Sequence, residues 1–160
     1  MRHVISVWVD NEPGVLSRVT GLFSGRGFNI ESLCVATTME ADVSRITLVS
    51  VGNEQIIEQI IKQLRKLINV VKVQDLTPTD HVEREMALVK VKAEDRQRAE
   101  VLRIADIFRC RVVDVSSNSY TLEITGTTEK LNAVLGLLKA VGIQEVVRTG
   151  SLAIQRTKKE

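Results

Sequence analysis

Residues Asn11, Glu12, Pro13 and Gly14 form a short turn whose chemistry suits the binding of an anion. They follow an apolar stretch at residues 3–9 and precede a stretch with helical periodicity. The first turn of a helix carries unpaired N–H groups and the positive end of the helix dipole, so it attracts carboxylates and phosphates. Pro13 suits a helix start because the N–H that it lacks would be unpaired there. Gly14 leaves the backbone open to close approach, and Asn11 offers either a helix cap or a hydrogen bond to a ligand.

The elements that position this turn follow the order strand, helix, strand, strand, helix, strand. β-branched runs and a polar turn indicate the strands, and apolar stripes with glycine-marked ends indicate the helices. The predicted elements span residues 3–9, 14–25, 28–37, 43–51, 53–68 and 69–76. The same order returns after a polar stretch that contains the second proline. Its predicted elements span residues 85–93, 95–108, 111–117, 120–126, 128–141 and 143–150.

The repeated order predicts an α+β protein with two ferredoxin-like βαββαβ domains in tandem. We expect the first domain over residues 1–77, a linker over residues 78–83 and the second domain over residues 84–160. The length of 160 residues allows two small domains, and a hydrophobic content of 44% is that of a globular protein with a core. The second domain has the sequence KAEDRQRAE where the first has its turn, without glycine, so we expect no second site of this kind.

Asn29 adds a second polar group to the candidate site. It lies at the start of the second predicted strand, which is an edge strand in this topology and is free to pair with another copy of the chain. Pairing edge to edge would bring Asn29 of one subunit towards the turn at residues 11–14 of the other. We therefore expect a homodimer. Two alternatives stay open at this point: that the turn only caps a helix, and that Asn29 only forms a turn.

Composition argues against several other functions. The net charge is +2, whereas nucleic-acid binders are usually more basic, and the first and third strands lack the aromatic pairs of RNA-binding domains. His3 and His81 are the only histidines, and no acid–base pair, nucleophile or metal cluster is evident, so we expect no catalytic or metal site. Cys34 and Cys110 are widely spaced, and no signal peptide or membrane-spanning stretch is visible. A reducing cytoplasmic location is expected.

The sequence NEPGVLSRVTGLFSGRGFNIESL, at residues 11–33, resembles the ACT domain of the small regulatory subunit of acetolactate synthase, also called acetohydroxyacid synthase. The similarity continues through SRITLVSVG, IEQIIKQLRKLINVVKV, HVEREMALVKV and ADIFRCRVVDV, and it covers essentially the whole chain. Cys34 departs from the family, in which a threonine or another small residue is common at this position.

The resemblance implies a non-catalytic subunit that activates a catalytic large subunit and confers feedback inhibition, usually by valine, in branched-chain amino-acid synthesis. It places the effector between two ACT domains. The implied contacts are Asn11, Pro13, Gly14, Val15, Leu16, Asn29 and Ile30. Thiamine diphosphate, magnesium and FAD are expected on the large subunit, with no cofactor on this chain. A free-standing amino-acid sensor that acts on another enzyme or on transcription is the alternative.

Overall fold

The computed structural model describes residues 1–158, which form two compact units. The first unit comprises residues 1–82 and 151–158, and the second comprises residues 83–150. The elements of residues 1–80 are β1 (Arg2–Asp10), α1 (Val15–Gly25), β2 (Ile30–Thr37), β3 (Val43–Val51), α2 (Glu54–Arg65) and β4 (Val70–Asp75). The predicted βαββαβ order is confirmed here. No helix within residues 1–158 is long and apolar enough to cross a membrane.

The first unit has a four-stranded antiparallel sheet in the order β2-β3-β1-β4. β1 is therefore central and β2 lies at an edge, as predicted. Alternate residues of β1 face the two helices, so one side of the sheet forms the core. The core consists of Ile5, Val7, Val9, Val15, Val19, Phe23, Ile46, Leu48, Ile57, Ile60, Leu64 and Val73. Burial of this apolar side holds α1 and α2 against the sheet.

Helix α2 ends earlier than its apolar stripe predicts. The prediction extends it to Ile68, whereas the helix ends at Arg65 and the side chain of Ile68 is 97% exposed. Residues 66–69 form a turn instead, in which the N–H of Leu67 donates to the carbonyl of Leu64 (3.1 Å). The early end lets Asn69 leave the helix and hydrogen-bond to the end of β1.

The second unit repeats the topology. Its elements are β5 (His81–Lys92, whose first two residues belong to the first unit), α3 (Arg98–Ile107), β6 (Arg111–Val115), β7 (Ser119–Gly126), α4 (Thr128–Val141) and β8 (Ile143–Arg148), with the sheet order β6-β7-β5-β8. Helix α4 matches its predicted bounds, and Thr127 caps it by accepting a hydrogen bond from the N–H of Lys130. Helix α3 begins at residue 98 rather than 95. Residues 94–97 turn first, and the N–H of Gln97 donates to the carbonyl of Glu94 (2.7 Å). The predicted ferredoxin-like α+β class is confirmed for both units.

The chain returns to the first unit after β8. A short strand that the sequence analysis did not predict, β9 (Leu152–Gln155), pairs with β5. Ala153 is buried with Val4, Val49 and Leu76, on the side of the first sheet that faces away from the helices. The side chain of Arg45 holds the same strand through the carbonyl of Ala153 (2.9 Å).

The predicted second domain extends to residue 160, whereas the structure groups residues 151–158 with the first unit. Lys159 and Glu160 of that prediction lie outside the described residues. The predicted linker at residues 78–83 is also too long. Residues 76–80 connect the strands, and β5 already begins at His81. Within the connection, the N–H of Thr79 donates to the carbonyl of Leu76 (3.0 Å).

Candidate functional site

Gly14 is the residue that shapes the turn after β1. It is predicted to lie in the first helical turn, whereas it is the N-cap residue that precedes α1, with a φ of 85°. A side chain in this left-handed conformation costs roughly 1–2 kcal/mol, so glycine is the residue best suited to the position. A Cβ built on Gly14 would meet nothing within 4 Å. The space beside the helix start is therefore open.

Helix α1 has no side-chain cap. Asn11 does not take this role, because its side-chain Nδ2 donates to the carbonyl of Ala41 (3.0 Å). The N–H of Asn11 donates to the carbonyl of Asp42 (2.7 Å), so the residue ties the turn to the hairpin between β2 and β3. The absence of a cap leaves N–H groups at the helix start available to a ligand, together with the positive end of the helix dipole.

The other side of the turn is fixed by Asn69, a residue that the sequence analysis did not single out. Its Nδ2 donates to Oδ2 of Asp10 (3.2 Å), and its carbonyl accepts from the N–H of Asp10 (2.9 Å). Its side-chain oxygen accepts from Arg18 on α1. One asparagine therefore links β1, α1 and the start of β4. The sequence feature that could have identified Asn69 is its position directly before the β-branched residues of β4.

The remaining predicted residues near the turn differ in exposure. Pro13 is exposed at the surface. Val15 is 3% exposed and packs in the core, and its N–H donates to the carbonyl of Glu12 (3.4 Å). Leu16 is 39% exposed and presents an apolar surface beside the turn. Leu16 is thus the apolar side chain of α1 that could contact a ligand held at this turn.

Asn29 and Ile30 lie at the other end of the same sheet. Ile30 is opposite Ser50 on β3, whereas Asp10, at the end of β1, is opposite Val43. Seven residues of β3 separate these positions, which corresponds to roughly 23 Å along the strand. Asn29 is exposed, and its carbonyl accepts a hydrogen bond from the hydroxyl of Ser50 (2.8 Å). One chain therefore does not bring Asn29 to its own turn.

Pairing two copies of the chain through β2 would bring Asn29 of one copy close to the turn of the other. β1 and β2 both run antiparallel to β3, so they run in the same direction. A second β2 added in antiparallel orientation would place its Asn29 near the far end of the first β2, which is the end where the turn lies. β2 is half-buried to exposed along its length, and Val35 is an exposed apolar residue on it. This edge has the character of an interface strand.

The equivalent turn of the second unit is closed by its own side chains. Arg98, the first residue of α3, donates from Nε to the carbonyl of Ala93 (2.9 Å), and its guanidinium also bonds to the carbonyl of Ser117. Asp95 lies 3.5 Å from this guanidinium and pairs with it. The N-cap, Gln97, has a φ of −99°, which any residue adopts. This turn offers no comparable open backbone to an anion.

The histidines and cysteines within residues 1–158 are dispersed. His3 is buried with its Nδ1 3.9 Å from Asp75, and Nδ1 of His81 lies 2.8 Å from the carbonyl of Thr79. Both cysteines are free, and burial raises the pKa of the Cys110 thiol, which lowers its thiolate fraction and its reactivity. Within residues 1–158, no group of three His, Cys, Asp or Glu side chains is placed to hold a metal.

The fold of the first unit is that of an ACT-type domain. Residues 5–72 match the family model described as the AHAS small subunit-like ACT domain. Residues 84–157 match the model of the small subunit of acetolactate synthase. The chain belongs to the acetolactate synthase small-subunit family. It is accordingly a regulatory subunit that partners the catalytic large subunit. Membership of this family favours a regulatory subunit over a free-standing amino-acid sensor.

Individual relatives match nearly the whole of this chain. The acetolactate synthase small subunit of Aquifex aeolicus is 52% identical over 97% of this chain and 81% of its own length. The isozyme 3 small subunit of Salmonella typhimurium is 48% identical over 98% of this chain and 96% of its own. The crystal structure of the small subunit from Thermotoga maritima superposes with a TM-score of 0.92 at 40% identity, covering 99% of both chains.

Proposed function

We propose that this subunit binds valine, or a related branched-chain amino acid, at the turn after β1 and thereby inhibits acetolactate synthase by feedback. The observation that carries the proposal is the uncapped start of α1, where glycine keeps the backbone open. The effector carboxylate accepts hydrogen bonds from N–H groups of the first helical turn. The positive end of the helix dipole adds to this attraction.

The proposed site is shared between two chains of a homodimer paired through β2. One chain contributes Asn11, Pro13, Gly14, the backbone of Val15 and the exposed side chain of Leu16. The partner copy contributes Asn29 and Ile30. The side-chain oxygen of Asn29 would accept from the effector ammonium, and Leu16 and Ile30 would cover its apolar part. Two-fold symmetry then gives two equivalent sites per dimer.

The chemistry of the synthase belongs to the large subunit in this proposal. Thiamine diphosphate, magnesium and FAD are bound there, and this chain binds no cofactor. The small subunit raises the activity of its partner. Valine shifts the complex towards a less active state because it binds that state more tightly than the active one. The free thiols of Cys34 and Cys110 favour a reducing compartment, and we propose the cytoplasm.

Mixed dimers test whether the site is shared. Gly14→Asp removes the turn half of a site, and Asn29→Ala removes the partner half without touching the carbonyl that Ser50 uses. Each homodimer should bind valine at least tenfold more weakly. A mixed dimer of the two variants contains one intact site and one doubly altered site. We expect calorimetry to find one valine of wild-type affinity per mixed dimer.

A complete site within each chain predicts a different result for the mixed dimer. If each chain held a complete site of its own, both sites of the mixed dimer would carry one substitution, and no tight binding would return. That result would contradict the shared site. Holoenzyme activity measured with and without valine on the wild-type chain tests the regulatory proposal separately. A wild-type subunit that binds the large subunit without altering its activity or its response to valine would overturn it.

A further inference from the structure

A row of three side chains crosses the first sheet on the side that faces away from the helices. Trp8 on the central strand lies directly opposite Arg45 on β3 and Lys72 on β4. The guanidinium carbon of Arg45 is 4.5 Å from the centroid of the indole ring, and Nζ of Lys72 is 4.7 Å from it. Cation–π attraction orders all three side chains in this row.

The row forms the base of an open cavity of about 460 Å³. Met39, in the turn between β2 and β3, is fully exposed at one wall, and Val71 on β4 is exposed at the other. We call Trp8, Met39, Arg45, Val71 and Lys72 the Trp8 surface. Tryptophan, methionine and arginine are the residue types most enriched where protein interfaces are buried.

The two cations of the Trp8 surface have no acidic partner among residues 1–158. Arg45 donates to the hydroxyl of Ser6 (3.0 Å) and to the carbonyl of Ala153 (2.9 Å), which are both uncharged. Among the ion pairs within residues 1–158, none includes Arg45 or Lys72. Burial lowers the pKa of Arg45, as expected for a cation without a counter-charge. Glu40 is the acidic side chain on the cavity rim, and it is exposed.

Both walls of the cavity are hydrogen-bonded to the candidate effector turn. The hairpin that carries Met39 accepts two hydrogen bonds from Asn11, at the carbonyls of Ala41 and Asp42. The strand that carries Val71 follows Asn69, which bonds to Asp10 through both its backbone and its side chain. A change in the turn on effector binding would therefore reach both walls directly.

We propose that the Trp8 surface is a docking site for the catalytic large subunit, through a segment that brings a carboxylate to Arg45 and Lys72 and an apolar side chain to Met39 and Val71. The proposal rests on the regulatory partnership described above. Charge complementarity selects an acidic partner, because an added carboxylate would compensate two cations that form no ion pair within residues 1–158. The wide opening of the cavity suits a protein segment better than a small enclosed ligand.

Charge changes at the edge of the surface test the proposal without disturbing the core. Met39→Asp and Lys72→Glu alter exposed side chains of the Trp8 surface. Ile68→Asp and Lys66→Glu are matched controls, because they make the same changes at exposed positions in the turn after α2, away from the cavity lining. The measurement is the affinity of the full chain for the purified large subunit, by biolayer interferometry at low and high salt.

We expect Met39→Asp and Lys72→Glu to raise the dissociation constant at least tenfold, and both controls to stay within about twofold of wild type. Lys72→Glu should also reduce the salt dependence of binding, because one attractive charge is reversed. Valine binding by each isolated variant, measured by calorimetry, should match wild type and confirm that the first unit is folded.

Three results would overturn the inference. If both variants bind the large subunit like wild type, the Trp8 surface is not the docking site, although the regulatory proposal stands. If light scattering shows that Met39→Asp changes the oligomeric state of the isolated chain, the surface contacts a second copy instead. If the wild-type chain itself fails to bind the large subunit, the proposed function and this inference fall together.

Discussion

The turns that follow the central strand in the two units have the same place in the topology but opposite character. In the first unit, Gly14 adopts a left-handed conformation and no side chain caps α1. In the second, Arg98 folds back onto the carbonyls of Ala93 and Ser117 and fills the equivalent space. Topology supplies a helix start in both units, and local side chains decide whether this start is available to an anion.

The edge strands of the two units show a related difference. β2 and β6 occupy equivalent edges, and both expose valines to solvent. The edge at β2 begins directly after Asn29, whereas β6 follows Arg109 and Cys110. Within residues 1–158, only the first unit combines an open turn with an edge strand that follows an asparagine. We therefore propose that effector binding and dimerisation belong to the same unit.

The largest expected effect comes from placing a negative charge at the open turn. Gly14→Asp puts a carboxylate near the effector carboxylate, and two like charges about 4 Å apart at an effective dielectric near 20 repel by roughly 4 kcal/mol. We expect the valine concentration for half inhibition of the holoenzyme to rise at least tenfold, while activation of the large subunit is retained. The left-handed backbone adds a stability cost of roughly 1–2 kcal/mol, visible in a melting curve.

Gly21→Asp is the matched control for this substitution. It adds the same charge to an exposed glycine of α1, two helical turns further along, where a Cβ meets nothing within 4 Å. Its inhibition curve should follow wild type. Equal inhibition curves for Gly14→Asp and wild type would indicate that the turn serves only the fold, and the contrast between the two units would lose its functional meaning.

A large effect on stability is expected from the last strand. Ala153→Asp buries a carboxylate among Val4, Val49 and Leu76 without a partner, which should destabilise the first unit by about 3 kcal/mol. The neighbouring Ile154→Asp alters an exposed side chain and should be close to neutral. Hydrogen exchange should accelerate in β1 and β3 of the first variant only. Acceleration confined to residues 83–150 would contradict the assignment of β9 to the first unit.

Substitutions on the two edge strands, β2 and β6, should differ in their effect on dimerisation. Val35→Asp brings like charges together where two copies of β2 would meet, so the dimer dissociation constant should rise at least tenfold, or about 1.4 kcal/mol. Val113→Asp makes the same change on β6, at a similarly exposed position, and should leave the dimer intact. Analytical ultracentrifugation measures both. Dissociation by the β6 variant alone would move the interface to the second unit.

A smaller effect is expected from opening the second turn. Arg98→Ala removes the hydrogen bonds to Ala93 and Ser117 and should destabilise the second unit by about 1–2 kcal/mol. Valine affinity should not change, because the ligand-binding turn lies in the first unit. A new valine site in this variant would show that Arg98 alone closes the second turn, and that the missing glycine is irrelevant.

Much of the fold could be predicted from periodicity, because both units bury one regular side of each helix and strand. The element order, the central position of β1 and the edge position of β2 all follow from it. β9 escaped prediction because four residues carry no periodic signal. Its strand conformation depends on tertiary contacts, mainly those of Ala153 and the hydrogen bond from Arg45. The early end of α2 has a similar origin, in the contacts that Asn69 makes with Asp10.

The candidate site could be predicted in composition but not in geometry. Asn11, Gly14 and Asn29 stand out in the sequence, yet their distribution over two ends of one sheet follows only from the strand register. The left-handed conformation of Gly14 and the bond from Asn11 to Ala41 depend on how the hairpin meets the turn. The position of Asn69 before a β-branched run is a weak signal, because the role of this residue arises from its contacts with Asp10 and Arg18.

The most direct test of the central claim is a calorimetric titration of the full-length wild-type chain with valine, repeated with Gly14→Asp. We predict one valine per wild-type chain, which is two per dimer, and at least tenfold weaker binding to the variant. A stoichiometry of two per chain would show that the second turn also binds. Unchanged affinity in Gly14→Asp would contradict the claim that the open turn of the first unit holds the effector.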